Sequence, residues 1–275
     1  MDVLLFREKD PFAPINYSYQ IEEILCKRKS KYNEIMVLKS PHFGKMLILD
    51  NVVQLTELDE YFYHEMLVHV PLHIHPSSRH IVIIGGGDGG ALREVLKHEE
   101  VERVVLVEID REVIEVSKSF LPTLSSGFGD PRVEVRMMDG ADFIKTTGEE
   151  FDVIFVDSTD PVGYAKSLFT NQFFTDAFSV LKPDGIFVAQ TESLHFHRDF
   201  VCNVQHKLAQ KFKLVDLYTI SIATYAGNWW TFSIASKEYN PRKKPRKCKI
   251  PTKYYAEDVH INAFLPQSLK EKLLG

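Results

Sequence analysis

The sequence predicts an α/β fold: a doubly wound, mostly parallel sheet with an antiparallel last strand, preceded by a small N-terminal antiparallel β domain. Three observations carry this reading. First, short apolar runs at 81–84, 104–107, 133–135, 153–156 and 186–189 alternate with amphipathic stretches, the pattern of parallel strands buried on both faces. Second, two strand-like runs, 214–220 and 229–235, have a loop between them and no helix, so they pair antiparallel. Third, the segment before residue 57 is different in texture, with short β-rich runs punctuated by turn signals.

The elements follow in order. Runs 21–25, 34–38, 46–49 and 52–55, separated by Phe43-Gly44-Lys45 and Asp50-Asn51, make a β domain over 1–56. A helix starts near Glu57 and runs through Leu67; it is expected to end before Pro71, whose ring and missing N–H break a helix. Helices at 91–97, 111–120, 171–181 and 200–212 then cover the sheet, so 57–275 reads as one Rossmann-like domain. Its antiparallel ending is of the methyltransferase type, unlike a symmetric dinucleotide fold. The run 241–247 (PRKKPRK) is expected to be a solvated, proline-broken loop, because no aromatic platform interleaves its charges. Short helices without chemistry are expected after Tyr254.

Bulk properties narrow the function. The chain has 275 residues, 44% of them hydrophobic, enough for a substantial core. A net charge of -5 makes no basic field for nucleic acid. No apolar run is long enough for a membrane span, and MDVLLFREKDPF lacks the pattern of a secretory signal. Cys26, Cys202 and Cys248 are widely spaced, which argues against a zinc site or disulfide framework and for a cytoplasmic location.

The chemistry gathers at strand ends. Gly85-Gly86-Gly87-Asp88-Gly89-Gly90 lies between an apolar strand and a helix start, where glycine permits a sharp turn and a ligand's close approach. Glu108, at the end of the next strand, is 21 positions beyond Gly87, the spacing at which an acid reaches ribose hydroxyls. Asp139-Gly140 ends the third strand, placed to accept from an adenine amine. These three strand ends describe a nucleoside slot at the carboxyl edge of the sheet. Asp88 within the turn would oppose a pyrophosphate and welcome a cation. The fourth strand ends in Asp157-Ser158-Thr159-Asp160-Pro161, adding two carboxylates that select polycations; paired acids of this kind also bind Mg²⁺.

These residues resemble the spermidine synthases, the polyamine aminopropyltransferases. GGGDGG at 85–90, Tyr63-His64-Glu65, DSTDPVG at 157–163, Gln190-Thr191-Glu192 and Thr224-Tyr225 stand in that family's order, over nearly the whole chain. The resemblance implies transfer of an aminopropyl group from decarboxylated S-adenosylmethionine, a co-substrate and not a cofactor, to a small-molecule diamine. Putrescine is the expected acceptor, giving spermidine and 5'-methylthioadenosine, with agmatine or cadaverine as alternatives. A methyltransferase and a non-catalytic polyamine-binding homologue are the other readings. The sulfonium activates its own neighbouring carbon, so no metal is expected, and the enzyme's task is positioning.

By the same resemblance Asp157 is the base, with Tyr63 orienting the amine. Asp160 and His64 would hold the diamine, Asp88 would meet the aminopropyl ammonium, and Tyr225 would line the amine pocket. Glu108 would take the ribose and Asp139 with Gly140 the adenine, while Asn33, Gln54, Gly85, Gly87 and Tyr164 complete the nucleoside site. The chain departs from the family at Asn33 (usually Gln), Tyr164 (Pro), Leu194 (Pro) and Ala226-Gly227-Asn228 (Pro-Ser-Gly), all expected near the pocket. A homodimer or homotetramer is implied, with the β domain as a contact.

Overall fold

A computed structural model describes residues 4–10 and 13–274. The chain opens with a hairpin of β1 (Leu4–Lys9) and β2 (Asn16–Ile21), then a four-stranded meander of β3 (Glu23–Lys29), β4 (Glu34–Ser40), β5 (Gly44–Leu49) and β6 (Val52–Thr56). The expected strand over 21–25 is therefore two strands. At Glu22 the chain leaves one sheet for the other, its N–H donating to the Lys39 carbonyl at 2.7 Å. Apolar residues flank the break on both sides, so pattern alone did not mark it. Asp50 and Asn51 turn between β5 and β6 with φ of 49° and 65°, the left-handed pair of a tight hairpin.

The large sheet has strand order β12-β13-β11-β10-β7-β8-β9, from β7 (His80–Gly85), β8 (Arg103–Glu108), β9 (Val133–Met137), β10 (Phe151–Asp157), β11 (Leu181–Ser193), β12 (Leu214–Ser221) and β13 (Trp229–Ser236). Only β13 runs against its neighbours, inserted between β11 and β12. Side chains alternate with the strand period of two. Ile81, Ile83, Val153 and Phe155 enter the core on one face, and Val82, Ile84, Ile154 and Val156 enter the core on the other. Helices α1 (Glu60–Ile74), α2 (Gly90–Leu96), α3 (Arg111–Phe120), α4 (Gly140–Thr146), α5 (Asn171–Val180) and α6 (Arg198–Ala209) cover these faces, and α7 (Glu257–Ala263) and α8 (Gln267–Leu274) close the chain. The meander is not a loose appendage: Ile35, Val37, Leu47 and Leu55 share a core with Val113 and Val116 of α3.

Three expectations change. Helix α1 passes through Pro71 to Ile74. Proline costs about 3 kcal/mol inside a helix, but Met66, Leu67, Val68, Val70 and Leu72 are all fully buried, and each such side chain contributes about 1.5–3 kcal/mol. Helix α4 was not foreseen; it is seven residues long and buries only Phe143 and Ile144, too little for a periodic signal. The run 241–247 is docked by its arginines. Arg242 pairs with Asp216 and donates to the Leu265 carbonyl at 2.7 Å, and Arg246 reaches the Leu72 carbonyl at 2.7 Å and Glu100 at 2.6 Å. Lys243, Lys244 and Lys247 stay exposed, so the loop is solvated on one side only. The tail forms short helices as expected, anchored where Glu65 accepts from the N–H groups of Lys253, Tyr254 and Tyr255 at 2.8 Å each.

Beside that anchor, α1 and the loop after α2 bury three histidines, His69, His73 and His98. Burial holds the His73 imidazole down to about 3. Among the described residues no helix is long and apolar enough to cross a membrane, and the three cysteines are free thiols.

Candidate active site

The carboxyl ends of β7, β8, β9 and β10 open into a cavity of about 230 Å³. Thirteen of the fourteen expected site residues line it: Asn33, Gln54, Tyr63, His64, Gly85, Gly87, Asp88, Glu108, Asp139, Gly140, Asp157, Tyr164 and Tyr225. The other, Asp160, lines an adjoining cavity of about 50 Å³. Gln54, Tyr63, Ser158, Thr159 and Tyr225 border both, so the two adjoin.

The glycine turn is what brings β7 and β10 together. Gly86 N–H donates to the Asp157 carbonyl at 2.8 Å. Gly85 has φ +85°, and a Cβ there would stand 2.1 Å from the same oxygen, so no side chain fits. On α1, Tyr63 and His64 project over this turn. The Tyr63 hydroxyl donates to Asp157 Oδ1 at 2.7 Å, while Asp157 Oδ2 is buried and has no hydrogen-bond partner. A buried carboxylate oxygen left unpaired is costly and marks a place for a ligand's donor. Burial first, and then the charge of Asp88, push Asp157 up to about 6, against the opposing pull of His64 and the Tyr63 hydrogen bond.

Asp88 and His64 act as a pair. Asp88 Oδ1 accepts from Gly90 N–H at 2.6 Å and lies 3.3 Å from His64 Nε2, whose Nδ1 meets Glu60 at 2.7 Å. Burial lowers the His64 pKa, but Asp88 and Glu60 outweigh it and carry the imidazole up to about 10. His64 is therefore an imidazolium at neutral pH with both nitrogens engaged by carboxylates. His64 lines the cavity, and its side chain is braced between Asp88 and Glu60. Arg93 backs the pair by gripping both oxygens of Glu60 at 3.1 and 2.8 Å.

On the other limb, Glu108 Oε1 accepts from Asp110 N–H at 2.9 Å, and burial pushes Glu108 up to about 7. Asn33 Nδ2 donates to Asp110 Oδ2 at 2.7 Å, tying the meander to the end of β8. Asp139 caps α4 through Oδ1, accepting from Ala141 and Asp142. Tyr225 donates to the Gln54 carbonyl, bridging β6 and the loop before β13. Tyr164 is 58% exposed at the rim, edge-on to Tyr32 at 5.3 Å.

The smaller cavity contains groups that sequence reasoning missed. Glu8, Asp10 and Glu192 are all buried around it with Asp160. Burial raises Glu192 well above the usual carboxyl range, and the adjacent Asp160 charge adds to it; burial also raises Asp160 and takes Glu8 up to about 7. Glu192 stands at φ +67°, a left-handed backbone that turns its side chain out of the ladder. Glu8 and Asp10 come from the first hairpin, far from the glycine turn in sequence, and local motif gave no signal for them. Leu194, expected near the pocket, instead packs with Val201, Leu217 and Leu265 and lines neither cavity.

Comparison with known proteins identifies the family and the fold. The family model described as spermine/spermidine synthase domain matches residues 60–244, and that described as spermidine synthase tetramerisation domain matches residues 4–57. The chain is 58% identical over 272 residues to polyamine aminopropyltransferase 1 of Aquifex aeolicus, covering 99% of this chain and 97% of that one. It is 52% identical over 275 residues to the polyamine aminopropyltransferase of Hydrogenobaculum sp., covering 100% and 98%. A crystal structure of spermidine synthase in complex with the transition-state analogue AdoDATO superposes with a TM-score of 0.93 at 36% identity, covering 98% of this chain and 94% of that chain. Spermidine synthase from Thermotoga maritima gives 0.90 at 35%, with the same coverage. With both family models matched and relatives aligned end to end, the chain belongs to the spermine/spermidine synthase family of polyamine aminopropyltransferases.

Proposed function

We propose that the enzyme moves the aminopropyl group of decarboxylated S-adenosylmethionine to putrescine, giving spermidine and 5'-methylthioadenosine. The observation that carries this reading is Asp157: one oxygen held by Tyr63, the other buried without a partner at the mouth of an acidic cavity. An amine arrives protonated, and baring its lone pair at neutral pH costs about 4 kcal/mol. Asp157 Oδ2 takes that proton. The nitrogen then forms its bond to the carbon beside the sulfonium as the C–S bond breaks and its electron pair returns to sulfur.

The remaining groups position the two substrates. Glu108 faces the ribose hydroxyls and Asp139 with Gly140 the adenine, with Asn33, Gln54, Gly85, Gly87 and Tyr164 around the nucleoside. Asp88, held in place by the His64 imidazolium, meets the aminopropyl ammonium and would repel the carboxylate of intact S-adenosylmethionine. Asp160 and Glu192 receive the far ammonium of the diamine. Tyr225 walls the passage between the cavities. The tetramerisation-domain match supports a homotetramer assembled through the N-terminal strands.

The test is a rate comparison of putrescine, cadaverine and agmatine with decarboxylated S-adenosylmethionine, alongside methyl transfer from the intact form. The highest kcat/KM is expected for putrescine. A higher value for another amine would replace the acceptor, and methyl transfer would replace the reaction. Diamine binding in a calorimeter with no turnover would leave only a polyamine-binding protein.

A further inference from the structure

We infer that His69, His73 and His98 form a tris-imidazole site for a zinc-type divalent cation, separate from the cavity that carries out the transfer. One ring nitrogen from each lies within 4.8 Å of the others, and none of the three residues lines either cavity. They stand on α1 and on the loop after α2, in the core, where three imidazoles facing one another have no packing advantage over leucine.

The hydrogen bonds assign the free nitrogens. His73 Nδ1 meets the His69 carbonyl at 2.9 Å; a carbonyl only accepts, so Nδ1 carries the hydrogen and Nε2 is a bare lone pair. His69 Nε2 meets Glu94 at 2.9 Å. Arg93 Nε at 2.8 Å and Lys97 Nζ at 2.6 Å also face its two oxygens, so Glu94 accepts from cationic donors on both. His69 Nε2 therefore donates, and Nδ1 is the second bare nitrogen. That nitrogen faces His98 Nε2 at 2.9 Å, so His98 donates to it. Glu100 lies 3.8 Å from His98 Nδ1. A tautomeric shift moves the His98 hydrogen to Nδ1, toward Glu100, and turns Nε2 into the third ligand without net proton release.

The outer nitrogens of His69 and His73 are then hydrogen-bonded to a carboxylate and a backbone carbonyl, and that of His98 faces the Glu100 carboxylate across 3.8 Å. This is the arrangement that orients histidines around zinc and sharpens their basicity. Nitrogens about 2.0–2.1 Å from a tetrahedral zinc stand roughly 3.3 Å apart, so rings whose nitrogens approach within 4.8 Å must draw closer to hold one. Three neutral nitrogens suit zinc in preference to magnesium or calcium, which favour oxygen. The other two His/acid clusters are worse ligands. His64 has both nitrogens engaged by carboxylates, and beside His75 the Asp152 carboxylate already accepts from Arg79, His80 and Lys182.

The experiment measures metal and not transfer, so it stands or falls apart from the acceptor assignment. Full-length, tag-free protein is produced in zinc-supplemented medium, dialysed, and assayed for bound zinc by mass spectrometry; cobalt-grown protein is scanned for visible d–d absorption. About one ion per chain is expected in the unaltered protein. His73→Leu should retain about tenfold less or lower, with the cobalt bands lost and aminopropyl transfer unchanged. His98→Gln supplies the same test should the leucine variant not fold. Zinc absent from the unaltered protein, or equal retention in the variants, overturns the site.

Discussion

Asp157 carries two expectations. Asp157→Asn keeps the shape and removes the base, so kcat should fall by a factor of about 10² or more, measured at saturating nucleoside. Near-normal turnover would mean that another group takes the proton. The second concerns pH. A base acts only as carboxylate, so kcat/KM should fall as pH drops through about 6, where Asp157 takes up its proton. The Tyr63 hydrogen bond pulls that value down, so Tyr63→Phe should move the acidic limb to higher pH. A limb that stays put or moves down would remove Tyr63 from this role. In the small cavity, Asp160→Asn deletes a charged partner of the far ammonium. A charge-assisted hydrogen bond is worth about 1.5–3 kcal/mol, so the diamine KM should rise roughly 10- to 100-fold with a smaller change in kcat. A monoamine lacking the far nitrogen should show no such penalty.

Helices α1 and α2 set the precision of the site by their close approach. A Cβ on Gly90 would fall 2.2 Å from the His64 ring, so that glycine is required by the neighbouring helix. Gly90→Ala should displace His64 from Asp88, lowering kcat/KM for the nucleoside at least about tenfold and lowering the melting temperature by several degrees. Ordinary activity in that variant would show that the Asp88–His64 pair is dispensable. The elements also show what periodicity conveys. Strands β7, β8 and β10 are unbroken apolar runs and were legible at once. Helix α1 was cut short at Pro71, because a local rule about proline does not register how deeply the rest of the helix is buried.

The whole chain assembles its pocket from both ends. Glu8 and Asp10 from the first hairpin reach Asp160 and Glu192 from the large sheet, and Tyr225 closes over Gln54. The N-terminal strands expose Leu4, Leu5 and Ile24 at 48%, 46% and 52%, an apolar surface suited to association. Replacing all three by Asp should reduce the species seen by light scattering to a smaller one, with turnover per chain retained. An unchanged mass would place the contact elsewhere.

Contiguous residues with a local physical signature carry the core strands β7, β8 and β10, the glycine turn and the acids at four strand ends, whereas β1, the break at Glu22 and the short helix α4 leave no such mark. Only the packing of elements shows that His64 lies between Asp88 and Glu60, that four carboxylates line one small cavity, and that three histidines meet in the core. Those facts depend on which side chains face one another across elements, and on how far burial shifts their charge. A linear pattern encodes neither.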